Sequence, residues 1–202
     1  MKTVLTYLIL IVTLIFFNSC ANKKIDNLKE GKAIFDAADK TGKNENRKEE
    51  FRIAIRYFKA ELNDNPNSFE TQIYLSEAYG RLSEPDSAIL VLNRAIEFHN
   101  KETAHLFAAR GVEYLNKHDY ENSVGSFEEA LKYDTNDRQL YKMIVQSKLK
   151  QRYYINGAWL NFDKGDLANI INEVYPADYK NKPSVDEFIN DLKTYTYQNI
   201  SK

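Results

Sequence analysis

Residues 69–102 read FETQIYLSEAYGRLSEPDSAILVLNRAIEFHNKE, and residues 104–137 read AHLFAARGVEYLNKHDYENSVGSFEEALKYDTND. The two stretches align without a gap at an offset of 35 residues. The aligned pairs are Leu75 with Arg110, Ser76 with Gly111, Tyr79 with Tyr114, Ala88 with Ser123, Leu92 with Phe127, and Ala95 with Ala130. A fixed period of this length indicates a repeat protein.

The residues at these aligned positions are either small or bulky, and each kind has a physical reason. Gly111 on a first helix and Ser123 on a second helix are small, so the paired helices can approach closely. Tyr114 and Phe127 then fill the space around that contact. Phe127 and Ala130 lie three residues apart and share one helix face. A single helix pair cannot bury that face, so consecutive pairs must stack.

The second stretch resembles the tetratricopeptide repeat (TPR) family over its whole length. The matching residues are Phe107, Gly111, Tyr114, Tyr120, Ser123, Phe127 and Ala130, whereas Thr135 replaces the usual proline between repeats. The resemblance implies an all-α fold, a right-handed α-solenoid of three to four helix pairs with a helical C-terminal cap. It also implies a groove, lined by the first helices of successive pairs, in which segments of partner proteins bind.

Less regular units flank these two repeats. Upstream, residues 25–68 predict a degenerate unit, because Ala54 and Phe58 lie 34 residues before Ala88 and Leu92. Its first helix should cover residues 25–39, and its connection at residues 40–48 is unusually long and polar for the family.

Downstream, residues 138–168 predict a further degenerate unit in one of two registers. In the first register, Leu149, Ala158, Phe162 and Gly165 follow Tyr114, Ser123, Phe127 and Ala130 by 35 residues. In the second register, residues 164–166 form a turn between helices. Residues 169–202 predict the cap, with helical segments at 166–175 and 184–197. The last segment starts with a capping-box pattern at Ser184 and Glu187.

Residues 1–19 have the features of a signal peptide. The apolar run of 14 residues from Val4 to Phe17 is shorter than the roughly 20 residues of a membrane-spanning helix. Ser19-Cys20 resembles the lipobox of bacterial lipoproteins, which implies cleavage before Cys20, acylation of Cys20 with lipids such as palmitate, and a tether at residues 20–24. Two alternatives remain open: cleavage after Ala21, which releases a soluble protein, and an uncleaved anchor.

Charge and cysteine content exclude several function classes. The chain has 28 Lys plus Arg and 29 Asp plus Glu, without the clustered basic excess of a nucleic-acid-binding domain. Its single cysteine predicts neither disulfides nor a thiolate metal site. His99, His105 and His118 lack metal-motif spacing, and neither a nucleophile elbow nor a phosphate loop occurs. We therefore predict no catalytic residues, no cofactor, no metal, no nucleic acid and no small-molecule substrate.

Residues predicted to face the groove follow from position-for-position resemblance to the family. They are Ile73, Tyr74, Glu77 and Arg81, then His105, Ala108, Ala109 and Val112, then Lys142, Gln146 and Lys150. Ala109 and Val112 stand where some family members clamp a partner's terminal carboxylate, so we do not expect that binding mode. The alternative is that several of these residues are merely exposed or pack between repeats.

A second candidate surface is the aromatic-rich tail, which either binds a partner or covers the solenoid's own core. Its aromatic residues are Tyr153, Tyr154, Trp159, Tyr175, Tyr179, Tyr195 and Tyr197, with Trp159 expected to be buried.

The function predicted from this resemblance is a scaffold or adaptor of the bacterial cell envelope. It would be lipid-anchored to a membrane, at the outer membrane or facing the periplasm, and would bind envelope proteins as an assembly factor for an outer-membrane or surface complex. The alternative is a substrate-binding or regulatory subunit of an envelope enzyme or transport complex.

Overall fold

The computed structural model describes residues 26–40, 46–99, 103–155, 158–159 and 163–200. The predicted signal peptide, Cys20 and the tether lie outside these residues. The described helices are α1 (Asn27–Lys40), α2 (Arg47–Asp64), α3 (Phe69–Arg81), α4 (Pro85–Phe98), α5 (Thr103–Asn116), α6 (Tyr120–Leu131), α7 (Arg138–Tyr153), α8 (Lys164–Val174) and α9 (Val185–Ile200). A short antiparallel ladder pairs β1 (Tyr154–Ile155) with β2 (Ala158–Trp159).

Each helix from α1 to α8 packs mainly against its neighbours in sequence. The chain therefore forms four consecutive helix pairs, α1/α2, α3/α4, α5/α6 and α7/α8, and α9 follows them. This arrangement confirms the predicted all-α solenoid of helix pairs with a helical cap. The residues at the repeat positions form its core: Ala54, Phe58, Ala88, Leu92, Ala95, Phe127 and Ala130 are each at most 1% exposed.

The close approach of paired helices depends on a glycine facing an aromatic ring. A Cβ atom placed on Gly111 would lie 2.6 Å from Cε1 of Phe127, and one on Gly31 would lie 2.6 Å from Cε1 of Phe58. Real Cβ atoms do not approach ring carbons so closely, so only glycine fits at these distances. The α3/α4 pair has a larger residue, Ser76, at the position of the glycine.

A buried hydroxyl links three successive helices. Ser123 on α6 is fully buried, and its Oγ donates a hydrogen bond of 2.9 Å to the carbonyl oxygen of Gly111 on α5. The same Oγ lies 3.0 Å from Oγ of Ser147 on α7. A serine therefore keeps the small size required here while its polar atom stays paired.

The turns inside the two regular pairs have the same backbone conformation. Ser83 has a φ of 61° and His118 a φ of 64°, and both follow the first helix of their pair. These residues are 35 positions apart, so the period seen in the side chains extends to the left-handed turn residue.

The fourth pair differs from both predicted registers. Residues 164–166, which we predict to form a turn in one register, are the first turn of α8. In the other register, Gly165 is equivalent to Ala130, which is buried. Gly165 is instead exposed in the structure. The reason is the β1–β2 ladder, which lengthens the connection between α7 and α8. The predicted boundary at residue 168 falls within α8.

Tyrosine rings cover the last apolar face of the solenoid. The ring of Tyr141 on α7 lies 5.0 Å from that of Tyr175 and 4.9 Å from that of Tyr179. Phe188 of α9 joins the same cluster and is 2% exposed. The predicted capping box begins α9, because Ser184 N donates to Glu187 Oε2 and Glu187 N donates to Ser184 Oγ. The side chain of Trp159 lies outside the described part of the chain.

Replacing Gly111 with alanine tests the glycine–ring contact. We expect Gly111→Ala to lower the free energy of unfolding by about 1–3 kcal/mol, because the added methyl group overpacks the contact with Phe127. Gly125→Ala is the matched control, since a Cβ there meets nothing within 4 Å, and it should gain about 0.5–1 kcal/mol of helix stability. Urea denaturation followed by circular dichroism measures both values. Equal effects of the two substitutions would contradict the contact.

Candidate functional site

The first helices of the pairs, α1, α3, α5 and α7, lie side by side, and we call the surface they present the inner groove. Nε of Arg81 on α3 donates to Oδ1 of Asp39 on α1 at 2.8 Å. Between α3 and α5, the carboxylate of Glu113 lies against Gly80, where a Cβ atom would be 2.7 Å from Oε1. Ala108 of α5 packs against a core cluster that includes residues of α7.

Three of the predicted groove residues also pack between helices. Ile73 and Ala109 are partly buried against the cluster that contains Leu92. The ring of Tyr74 lies 5.4 Å from that of Phe35 and 5.6 Å from that of Phe58. Their side chains therefore contribute to the stacking of the repeats.

Four predicted residues remain exposed across α3 and α5. Glu77, Arg81, His105 and Val112 are exposed along the inner groove. Glu77, Arg81 and His105 are close neighbours. Burial is the largest influence on the pKa of the Glu77 carboxyl group and raises it, whereas Arg81 and His105 lower it. The open part of the inner groove is therefore polar and charged, with Val112 as an apolar position 38% exposed.

The remaining three predicted residues lie on α7, where the cap meets the groove. Lys142 forms an ion pair with Asp191 of α9, and Gln146 is only 9% exposed. Lys150 is half-buried, and burial lowers the pKa of its ammonium group. The C-terminal helix α9 thus covers part of the inner groove at α7, and the accessible part extends over α1, α3 and α5.

Asp39 and Arg81 form a fixed ion pair at one side of the open groove. The hydrogen bond from Arg81 lowers the pKa of the Asp39 carboxyl group. The same bond raises the pKa of the Arg81 guanidinium group. Both groups therefore stay charged, and Asp39, which also accepts a hydrogen bond of 3.2 Å from Arg47, favours one orientation of Arg81 in the free chain.

Two carboxyl groups near this pair are partly removed from water. Burial is the main cause that raises the pKa of Glu77, and it also raises the pKa of Glu113. Glu113 is 8% exposed and accepts a hydrogen bond of 3.4 Å from Asn116. Only Glu77 of these two is exposed, and because a partly desolvated carboxylate gains more from a new donor than a hydrated one, it is suited to accept a hydrogen bond from a bound segment.

The repeat pattern does not predict three residues that belong to this site, Asp39, Gly80 and Glu113. Asp39 lies in the unit with the long connection, so no fixed offset relates it to Arg81. Gly80 could have been identified from the sequence, because a glycine inside a helix indicates a close approach by a neighbouring group. In this structure that group is the Glu113 carboxylate.

Neither a metal site nor a membrane-spanning helix is found among the described residues. No group of three or more His, Cys, Asp or Glu side chains among them is arranged to hold a metal ion. Of the helices described here, none combines the length and apolar character needed to cross a membrane.

Comparison with solved structures agrees with the architecture. A structure of MamA from AMB-1 superposes with a TM-score of 0.51 at 17% sequence identity, covering 78% of this chain and 77% of that chain. At this identity the likeness shows the fold, which is of the TPR type.

Two further structures give TM-scores of 0.49. The first TPR of Spaghetti (RPAP3), solved bound to the HSP90 peptide SRMEEVD, is 15% identical and covers 61% of this chain and 94% of its own. MamA from Desulfovibrio magneticus RS-1 is 12% identical and covers 74% of this chain and 93% of its own. No protein-family model and no curated protein matches the chain.

The raised pKa of Glu113 predicts a pH-dependent stability. The folded chain holds the Glu113 proton at pH values where the unfolded chain has lost it, so stability falls as the pH rises above about 4.3. Glu113→Gln should therefore melt at a higher temperature than the parent chain at pH 7.5, and the difference should shrink towards pH 4. Glu128→Gln, at an exposed position of α6, is the control. A Glu113→Gln difference that is the same at both pH values would contradict this assignment.

Proposed function

We propose that the chain is a protein-binding scaffold and that its inner groove receives an extended segment of a partner protein. The observation that carries this proposal is an exposed polar stretch on two adjacent first helices, formed by the ionisable Glu77 and Arg81 of α3 and by His105 of α5. Neighbouring residues on the same helices pack into the core, whereas these side chains remain available. A stacked array that presents such a continuous surface is suited to binding.

The chemistry of the groove supports recognition of a polypeptide. Arg81 has five N–H donors, and its Nε is bonded to Asp39, so its terminal N–H groups can donate to backbone carbonyls of a bound segment. Glu77, exposed on the same helix, can accept hydrogen bonds from backbone N–H groups or from cationic side chains. Because α9 covers the groove at α7, the segment should lie across α1, α3 and α5.

Position-specific photo-cross-linking tests the groove. The full chain carrying Val112→p-benzoylphenylalanine, expressed in its native cells, should form a covalent adduct with a partner on irradiation. The same replacement at Glu128, exposed on α6, should form at most a fifth as much. Adding Arg81→Ala should reduce the Val112 adduct at least fivefold. Adducts of equal yield from Val112 and Glu128, or an unchanged yield with Arg81→Ala, would contradict the groove assignment.

We further propose that acylation of Cys20 holds the scaffold on a membrane of the cell envelope. The support is the sequence: a 14-residue apolar run ends just before the chain's single cysteine. Two or more acyl chains on one residue give stable anchoring, whereas a single chain gives only reversible binding.

Metabolic labelling tests the lipid anchor. Cells grown with an alkyne analogue of palmitate should yield a labelled chain in the membrane fraction. Cys20→Ser should lose the label and at least nine-tenths of the membrane association. A labelled Cys20→Ser variant, or a parent chain without label, would show that Cys20 is not acylated.

A further inference from the structure

A depression of about 690 Å³ lies on the opposite side of the solenoid, between the second helices α2 and α4. Gln72 and Leu75 of α3 line it from below, and Pro66 closes one end. Gln72 is held in place, because its Nε2 donates to the carbonyl oxygen of Pro66 at 3.1 Å. We call this feature the outer depression, and it shares no lining residue with the charged stretch of the inner groove.

The outer depression coincides with one difference between the repeats. In the next interval, between α4 and α6, Arg110 occupies the equivalent place: its Nη1 donates to Asn93 Oδ1 at 3.0 Å and its Nε donates to Ser126 Oγ at 3.2 Å. The residue 35 positions earlier is Leu75. Leucine is shorter than arginine and has no polar atom with which to bridge the second helices, and Leu75 is buried at the floor of the depression between α2 and α4.

Large apolar side chains border the outer depression and remain in contact with water. Among the described residues, four large hydrophobic side chains are exposed, and two of these line the depression: Leu90 at 55% and Phe98 at 58%. The residue equivalent to Phe98 is Tyr133, whose ring instead stacks on that of Phe107 at 6.1 Å. An apolar concavity rimmed by polar residues is the usual form of a protein-binding surface.

The charges of the outer depression are all of one sign. Lys59 on α2 and Arg94 on α4 line it, and the described lining residues include no carboxylate. In the part of the chain that the structure describes, neither cation forms an ion pair; Lys59 Nζ lies 5.5 Å from the ring centre of Tyr79. An occupant with carboxylates at its edges would therefore complement this surface.

We propose that the outer depression binds an acidic amphipathic helix of a partner protein. The apolar side chains of the partner helix enter between α2 and α4 and contact Leu90 and Phe98. The carboxylates of the partner helix pair with Lys59 and Arg94. The geometry is that of a helix laid between two helices, a common mode of peptide recognition. The chain's own residues 1–25 do not fit this chemistry, since they contain three lysines and no acidic residue. This site is independent of the inner groove, so either can fail without the other.

Two synthetic peptides provide the test. Each is a fluorescein-labelled 18-residue helix with Leu and Phe on one face; the other face carries Glu in the first peptide and Lys in its twin. Fluorescence anisotropy with the full chain should show the Glu peptide binding at least tenfold more tightly than the Lys peptide. Phe98→Ala and the double variant Lys59→Glu, Arg94→Glu should each weaken the Glu peptide at least fivefold. Tyr133→Ala, at the equivalent exposed position one repeat later, should leave its affinity unchanged.

The same measurements contain the results that would overturn the proposal. These are equal affinities for the two peptides, no binding of the Glu peptide, or equal effects of Phe98→Ala and Tyr133→Ala. Photo-cross-linking from Leu90→p-benzoylphenylalanine identifies the occupant directly, and the expected adduct is with the Glu peptide. A chain-to-chain adduct that excludes the peptide would make a second copy the occupant, and an internal adduct to residues 1–25 would make it the chain's own segment. Either adduct would refute the proposal.

Discussion

The contact between a glycine on a first helix and a phenylalanine ring on the second sets how closely two paired helices lie. It occurs in the α1/α2 pair as Gly31 against Phe58 and in the α5/α6 pair as Gly111 against Phe127. In the α3/α4 pair the equivalent positions hold Ser76 and Leu92. A larger residue on the first helix thus accompanies a smaller one on the second, so the combined volume is approximately maintained. The buried core, and the regular presentation of both faces, depend on that spacing.

Residues outside this contact vary between the repeats, and these differences produce the surfaces. Leu75 lies at the floor of the outer depression, whereas Arg110, one repeat later, bonds to Asn93 and Ser126 on two successive second helices. On the inner face, Asp39 fixes Arg81, and α9 covers the groove at α7 through Lys142. The solenoid therefore presents two chemically different surfaces, a charged inner groove and an apolar outer depression with a cationic rim. A solenoid permits this combination because each repeat contacts only its neighbours.

The sequence predicts the part of the fold that repeats, because one offset of 35 residues relates the small and bulky core positions of the two regular pairs. It does not predict the α7–α8 connection, where the β1–β2 ladder replaces a short turn and no internal copy exists for comparison. The groove is predictable only in part. The positions of Glu77 and Arg81 in the repeat predict that they face the groove. Asp39 and Glu113 reach the same site through tertiary contacts that do not recur from repeat to repeat, so the repeat pattern does not predict them. Tyr74 and Ala109 lie at the expected positions, yet their side chains also pack between helices, a role that position alone does not distinguish from binding.

The central claim is that residue volumes across the helix pair compensate one another, and a double-mutant cycle measures this directly. The variants are Gly111→Ser, Phe127→Leu and the two combined, which gives the α5/α6 pair the residues of the α3/α4 pair. Urea denaturation should show that each single substitution destabilises the chain, while the double variant is at least about 1 kcal/mol more stable than the sum of the single effects predicts. Additive effects, within about 0.5 kcal/mol, would show that the two positions do not set the helix spacing together.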